Sequence, residues 1–166
     1  MIGIPLGMLY ANFCEALFHR HVLHGLGKRP GSFWAFHWHE HHREARRNGF
    51  RDEHYRTRPL LGWHPQTKER LAIALGVAVH LPLAPIAPFF VGTLAYCGFT
   101  YFRAHKRAHL DPAWAREHLP WHYDHHMAPN QNANWGIVKP WYDQIMGTRI
   151  AWAGTAAERR PAHRTR

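Results

Sequence analysis

The chain has 166 residues, a formal charge of +10 and 17 histidines against 11 acidic residues. That length suits one domain and excludes two independent cores, and the two cysteines, Cys14 and Cys97, lie singly in apolar stretches, which excludes a disulfide framework and a cysteine zinc ribbon and reads as two small buried hydrophobes. The basic balance fits a polyanionic partner, whether nucleic acid, an anionic membrane face or an acidic protein, and does not choose among them.

From the N-terminus, MIGIPLGMLYANFCEALF is an apolar run broken only by Asn12 and Glu15. It lacks the charged leader and cleavage pattern of a signal peptide. It reads as a membrane helix, with a buried core helix of a soluble protein as the competing reading. An acid such as Glu15 inside a membrane helix usually has a partner or a function. The run ends in HRHVLH, where His19 and His24 are about 140° apart on an ideal α-helix, so they serve different metals or need a local distortion.

The next group is FHWHEHH, four histidines in seven positions. On an α-helix His37, His41 and His42 fall within about 140°, and replacing His37 by His39 widens the arc to about 160°. His37 is therefore the better ligand candidate of the two.

Leu71 to Phe102 runs for 32 positions without Asp, Glu, Lys or Arg, between the charged flanks TKER and RAHKR. That exceeds one spanning helix of roughly 20 residues. Pro82, Pro85 and Pro88 at its centre would end one helix and begin another, with Pro88 suited to the first position of the second. The expectation is an apolar helical hairpin, which either spans a bilayer with its arms extended into the flanks or dips in and returns. Eleven Lys or Arg lie between Arg20 and Arg70 and ten from Arg103 onward, so the positive-inside rule puts both flanks on one side.

HKRAH follows the hairpin, with His105 and His109 about 40° apart, and WHYDHH places His122, His125 and His126 within about 100°. His54, His64, His80, His118 and His163 are scattered and read as ordinary surface or core residues. Neutral imidazole is a nitrogen donor suited to iron, zinc and copper near pH 7. Ten such donors exceed the needs of one four-coordinate zinc, whereas two ions with about five nitrogens each would use them all. Both HRHVLH and HKRAH follow an apolar run, so the inferred topology gathers the four groups at one membrane face.

With HRHVLH, HWHEHH, HKRAH and WHYDHH in that order, the chain resembles the fatty acid hydroxylase superfamily of membrane oxygenases, which includes sterol oxidases, lipid hydroxylases and bacterial carotene hydroxylases. The likeness runs from about His19 to Arg149, and NANWGIVKPWYDQIMGTR is similar to the family's closing segment. Many members carry HxxHH as the second box; here Trp38 stands three before His41, so His37 satisfies the longer variant of that box. The resemblance implies an all-α integral membrane helical bundle with a central apolar hairpin and a cytosolic, histidine-rich helical cap carrying a dimetal site, over residues 1–153. A basic tail, 154–166, is expected to be disordered. The implied metal ligands are His19, His24, His37, His41, His42, His105, His109, His122, His125 and His126. His39 and His118 are further candidates as ligands or supporting groups, and Glu40, Glu117 and Asp124 either orient imidazole N–H groups or are solvated charges and caps.

The implied cofactors are two metal ions, iron in the active form with zinc able to replace it during purification, and dioxygen as co-substrate. The implied activity is hydroxylation or desaturation of a lipid-like apolar substrate that enters between the hairpin and the N-terminal helix. No flavin, haem or cytochrome-like segment is fused to the chain, so electrons are expected from a separate ferredoxin or cytochrome type of donor. Nucleic acid is not an expected partner. Two other classes stand beside this reading: a zinc-dependent hydrolase, since YDHHMAPNQN faintly resembles nuclease metal loops, and a non-catalytic metal carrier.

Overall fold

The computed structural model describes residues 1–56 and 62–159, and every regular element among them is helical, with no strand. Helix α1, Gly3–Phe18, tolerates Pro5 because the first-turn amides have no intrahelical acceptor. It runs without a break into a π-helix, His19–Leu26. A second π-helix, His37–His42, leads directly into α2, Arg43–Arg47. A 3-10 turn, Glu53–Arg56, follows.

The apolar hairpin forms where the prolines put it. Helix α3, Pro65–Ala78, opens on a proline after extended His64; a 3-10 turn, Leu81–Leu83, holds Pro82; and α4, Pro88–Leu110, opens on Pro88. Two shorter helices, α5 (Pro112–His118) and α6 (Pro120–Met127), each start on a proline too. Asp111 caps α5 by accepting from the Trp114 amide at 3.1 Å. Helix α7, Trp141–Met146, ends at Gly147, whose φ of 66° closes the last turn in the left-handed region.

Helix α1 packs mainly on α4. A Cβ on Gly7 would lie 2.9 Å from Thr93 Cβ, so only glycine lets the two backbones approach this closely. Both polar interruptions of α1 are used as sockets for the closing segment. Asn12 donates to Lys139 O (2.8 Å) and accepts from the Tyr142 amide (3.0 Å). Glu15 accepts from the amides of Ile137 and Val138. Its burial pushes the carboxyl up to about 7, against the pull of those two amides.

Among the described residues no helix is long and apolar enough to cross a membrane, which corrects the expectation of an integral membrane bundle and of an integral membrane location with its histidine face toward the cytoplasm. The uncharged run from Leu71 is divided among three elements. Helix α3 spends its first turns on Gln66, Lys68, Glu69 and Arg70, the turn consumes residues 79–87, and α4 meets Arg103 after only about 22 Å of apolar rise. A hydrocarbon core is about 30 Å thick. Helix α1, at about 24 Å, is short as well.

Two other expectations shift. Cys14 is exposed and Cys97 half-buried, so the pair is not a pair of buried hydrophobes, though both thiols are free. Part of the 154–166 tail is placed: Ala156–Arg159 forms α8, and Glu158 pairs with Arg116 through two contacts of 2.6 Å. Residues 160–166 lie outside the described residues.

Candidate metal centre

Helix type decides where the histidines point. In a π-helix the backbone bonds run from i to i+5, so side chains five apart stack on one face. His19 with His24, and His37 with His42, are both separated by five and both lie in π-helical segments. The local distortion that the HRHVLH spacing requires is this one. In α4 and α6 the helix is regular, and a spacing of four does the same work for His105 with His109 and for His122 with His126.

The result is two buried clusters that could hold metal ions. His19, His24, His37, His42 and His125 form the first, and His41, His105, His109 and His126 the second, each with one ligand atom per residue all within 4.8 Å of one another. His122 joins the second through His109, Nε2 to Nε2 at 3.1 Å. The clusters abut, with the His42 and His126 rings stacked 4.1 Å apart. Adjacent residues are divided between them: His41 and His42 go to different clusters, as do His125 and His126.

The outer nitrogens fix the tautomers. In the first cluster Nδ1–H donates to the carbonyls of Trp135 (from His19, 2.8 Å) and Ala133 (from His125, 2.7 Å) and to Gln131 Oε1 (from His42, 2.8 Å). Each of those rings then turns a bare Nε2 inward. His42 and His125 bring their bare nitrogens to 3.2 Å, lone pair against lone pair, with no proton left to place between them. A cation bound between them would resolve that contact. In the second cluster Nδ1 of His41 donates to Asp52 (2.7 Å), Nδ1 of His105 to Glu69, and Nδ1 of His109 to Phe50 O (2.8 Å). The inward Nε2 atoms of His41, His105 and His126 are buried and have no hydrogen-bond partner among the described residues. Burial, followed by the neighbouring imidazoles for most of them, holds nine of the ten well toward the neutral form that binds metal, with His125 down to about 4.

All ten histidines implied as ligands are brought to this centre, and the further candidates are not. His37 is buried, while His39 is only partly covered and bonds Lys28 O at 3.1 Å. His118 stacks on Trp114 at the surface, 3.9 Å from exposed Glu117. Glu40 lies 4.0 Å from Lys68 Nζ. Asp124 is buried but braces α6 from behind, accepting from the Ala153 amide (2.7 Å) and pairing with Arg149 (2.8 Å).

The acids that do hold imidazoles, Asp52 and Glu69, carry no spacing signal in the sequence. Asp52 takes His41 on one oxygen and His54 on the other, both at 2.7 Å. Burial raises its carboxyl, but these contacts bring the balance below the ordinary value. Glu69 takes His105 on Oε1 and the Tyr55 hydroxyl on Oε2 at 2.9 Å. Burial again raises it, and His105, with His41 and Tyr55, more than offsets that.

A cavity of about 300 Å³ runs between α1, α3 and α4 down to His19, His37, His41 and His105. Its walls are chiefly apolar, with Phe18, Leu23, Ile73 and Leu94 among them. It reaches both clusters, and two of its lining residues join α1 to the hairpin tip, Tyr10 Oη donating to His80 Nε2 at 3.0 Å. Comparison with protein-family models, curated proteins and solved structures found no match.

Proposed function

We propose that this chain is a non-haem dimetal oxygenase, with iron as its working metal, that hydroxylates or desaturates a lipid-like apolar substrate using dioxygen and electrons from a separate ferredoxin or cytochrome type of donor. The observation that carries the reading is the apolar cavity ending on imidazoles of both clusters. The sequence resemblance to the fatty acid hydroxylase superfamily points the same way. An all-nitrogen donor set suits iron and leaves coordination positions for exogenous oxygen. Bound there, a pair of reduced ions supplies dioxygen activation and hydrogen abstraction from an unactivated C–H bond.

The chain's own work is placement and exclusion. Walls contributed by α1, α3 and α4 hold an apolar chain in one line, so that the carbon presented at the floor is set by depth of insertion. The apolar lining keeps water and other oxidisable groups from the floor. The carbonyls of Ala133 and Trp135 and the carboxylates of Asp52 and Glu69 fix each imidazole's tautomer before any ion arrives. Of the two carboxylates that line the cavity, Glu69 has both oxygens committed to His105 and Tyr55, and Glu15 accepts from the amides of Ile137 and Val138 through Oε1.

The test is to co-express the chain with ferredoxin and cytochrome donors in a lipid-producing host and compare lipid extracts by mass spectrometry with a His125→Ala, His126→Ala double variant. The expected result is a hydroxylated or newly unsaturated lipid in the wild type only, together with two irons per purified chain. A product that persists in the double variant would overturn the assignment.

A further inference from the structure

The two clusters differ in what stands behind their imidazoles. Among the described residues no carboxylate is a hydrogen-bond partner of the first cluster: His19 and His125 lean on backbone carbonyls and His42 on a glutamine, while His24 Nδ1 is buried with no partner among those residues. Of the acids near that cluster, Asp143 spends its oxygens on the amides of Trp135 (2.8 Å) and Gly136 (2.7 Å) and on Thr148 (2.6 Å), and Glu15 accepts from the amides of Ile137 and Val138. Behind the second cluster stand two buried acids, Asp52 on His41 and Glu69 on His105.

Charge balance makes that difference matter. A divalent cation enclosed by neutral imidazoles in a buried site keeps its full charge away from water, which is costly. A carboxylate one hydrogen bond behind a ligand offsets part of that charge and makes the imidazole a stronger donor. With His122 beside His109 the second cluster has as many imidazoles at hand as the first, and neutral nitrogens alone do not neutralise a buried ion.

We propose that the two metal positions are unequal: the position formed by His41, His105, His109 and His126 is the tight one and fills first, with Asp52 and Glu69 as its positioning residues, and the five-histidine position is loose and fills second. This rests on the proposed function only in taking both clusters as metal sites. Gln131 is the corresponding residue of the loose position, where a neutral amide stands in the role that Asp52 and Glu69 play opposite.

The test is an anaerobic titration of metal-stripped protein with Co²⁺, followed by calorimetry and by the visible spectrum of the bound ion, with chelator competition to rank affinities. The expected result is two binding classes of one ion each, at least about tenfold apart. Asp52→Asn or Glu69→Gln should each weaken the tight class about 10- to 100-fold and leave the loose class unchanged. Gln131→Glu should tighten the loose class and narrow the gap, an effect no destabilised variant would produce. A merely structural role for the acids would instead shift both classes together. Two equal classes, weakening confined to the loose class, or a Gln131→Glu variant with an unchanged gap would each overturn the inference. Binding of fewer than two ions overturns it along with the dimetal reading. Two ordered ions in a chain that forms no oxidised lipid would sink the proposed oxygenase and leave this inference standing.

Discussion

At the histidine end of the molecule the interior is polar. The ten clustered histidines are buried there with Asp52 and Glu69, and the apolar residues of the core, Phe50, Ala108, Ala115 and Leu119 on one side and Ala16, Trp135 and Tyr142 on the other, form a sheath around them. At the hairpin end the pattern is reversed. Leu75, Val79, Ile86 and Phe99 are more than half exposed, Ile86 to 82%, and few residues at the tip are buried. The contrast teaches that burial of apolar surface does not by itself hold the chain together at the site. There, convergent donors set the shape, and any ions they hold would contribute to the folding free energy.

The sharpest way to break this comparison is to strip the metal. A ligand present at a thousand times its Kd stabilises the folded state by about 4 kcal/mol per site, so chelated protein should melt far below the loaded form in calorimetry. Equal melting temperatures would show that the polar interior stands without ions. Next in size is the response of the stripped protein to acid. Nine of the clustered histidines have folded-state values lowered from the usual 6.5, so the unfolded chain binds protons that the folded chain refuses. Stability is present above pH 6.5 and is lost as pH falls below it, by at most about 1.4 kcal/mol per pH unit for each group. The contribution of His125 should level off near its folded value of about 4. A stripped protein whose urea midpoint is flat between pH 7 and pH 5 would contradict this sign.

Asp143→Ala sharpens the comparison at the histidine end. The fully buried carboxylate holds the amides of Trp135 and Gly136 and the Thr148 hydroxyl, and Trp135 in turn presents its carbonyl to His19. Leaving those donors unpaired should cost about 3 kcal/mol in chemical denaturation. The smallest effect belongs to the other end: Ile86→Ser should move stability by less than about 0.5 kcal/mol, despite the size of the side chain removed. A larger loss would mean that the hairpin tip is packed after all.

How far the residues alone could take this reading varied with the kind of signal. The four histidine groups and the proline-defined hairpin were visible because short spacings and Pro positions act locally, and α4 does open on Pro88. The pairing of His19 with His24 was not, because ideal α-helical angles set them apart and nothing in HRHVLH announces a π-helix. Asp52 and Glu69 were missed for a different reason: each reaches its histidine across a gap of 11 and 36 residues, which only the tertiary fold supplies. The membrane reading failed by summing hydrophobicity along the chain from Leu71 to Phe102, whereas what a bilayer measures is uninterrupted rise along a single helix. Asn12 and Glu15, which weakened that reading in the N-terminal run, turn out to receive the closing segment.

The π-helical register of His37–His42 carries a last consequence. Sliding that short stretch to i→i+4 bonding would swing His41 beneath His37 and carry His42 away, so the same six residues would redeal their imidazoles between the two ions. Backbone winding and metal occupancy would thereby be coupled, a bound ion acting as a latch on the wider coil. Removing Trp38 or Glu40 would act as a frameshift in coordination, trading one position's donor for the other's while every histidine is still present.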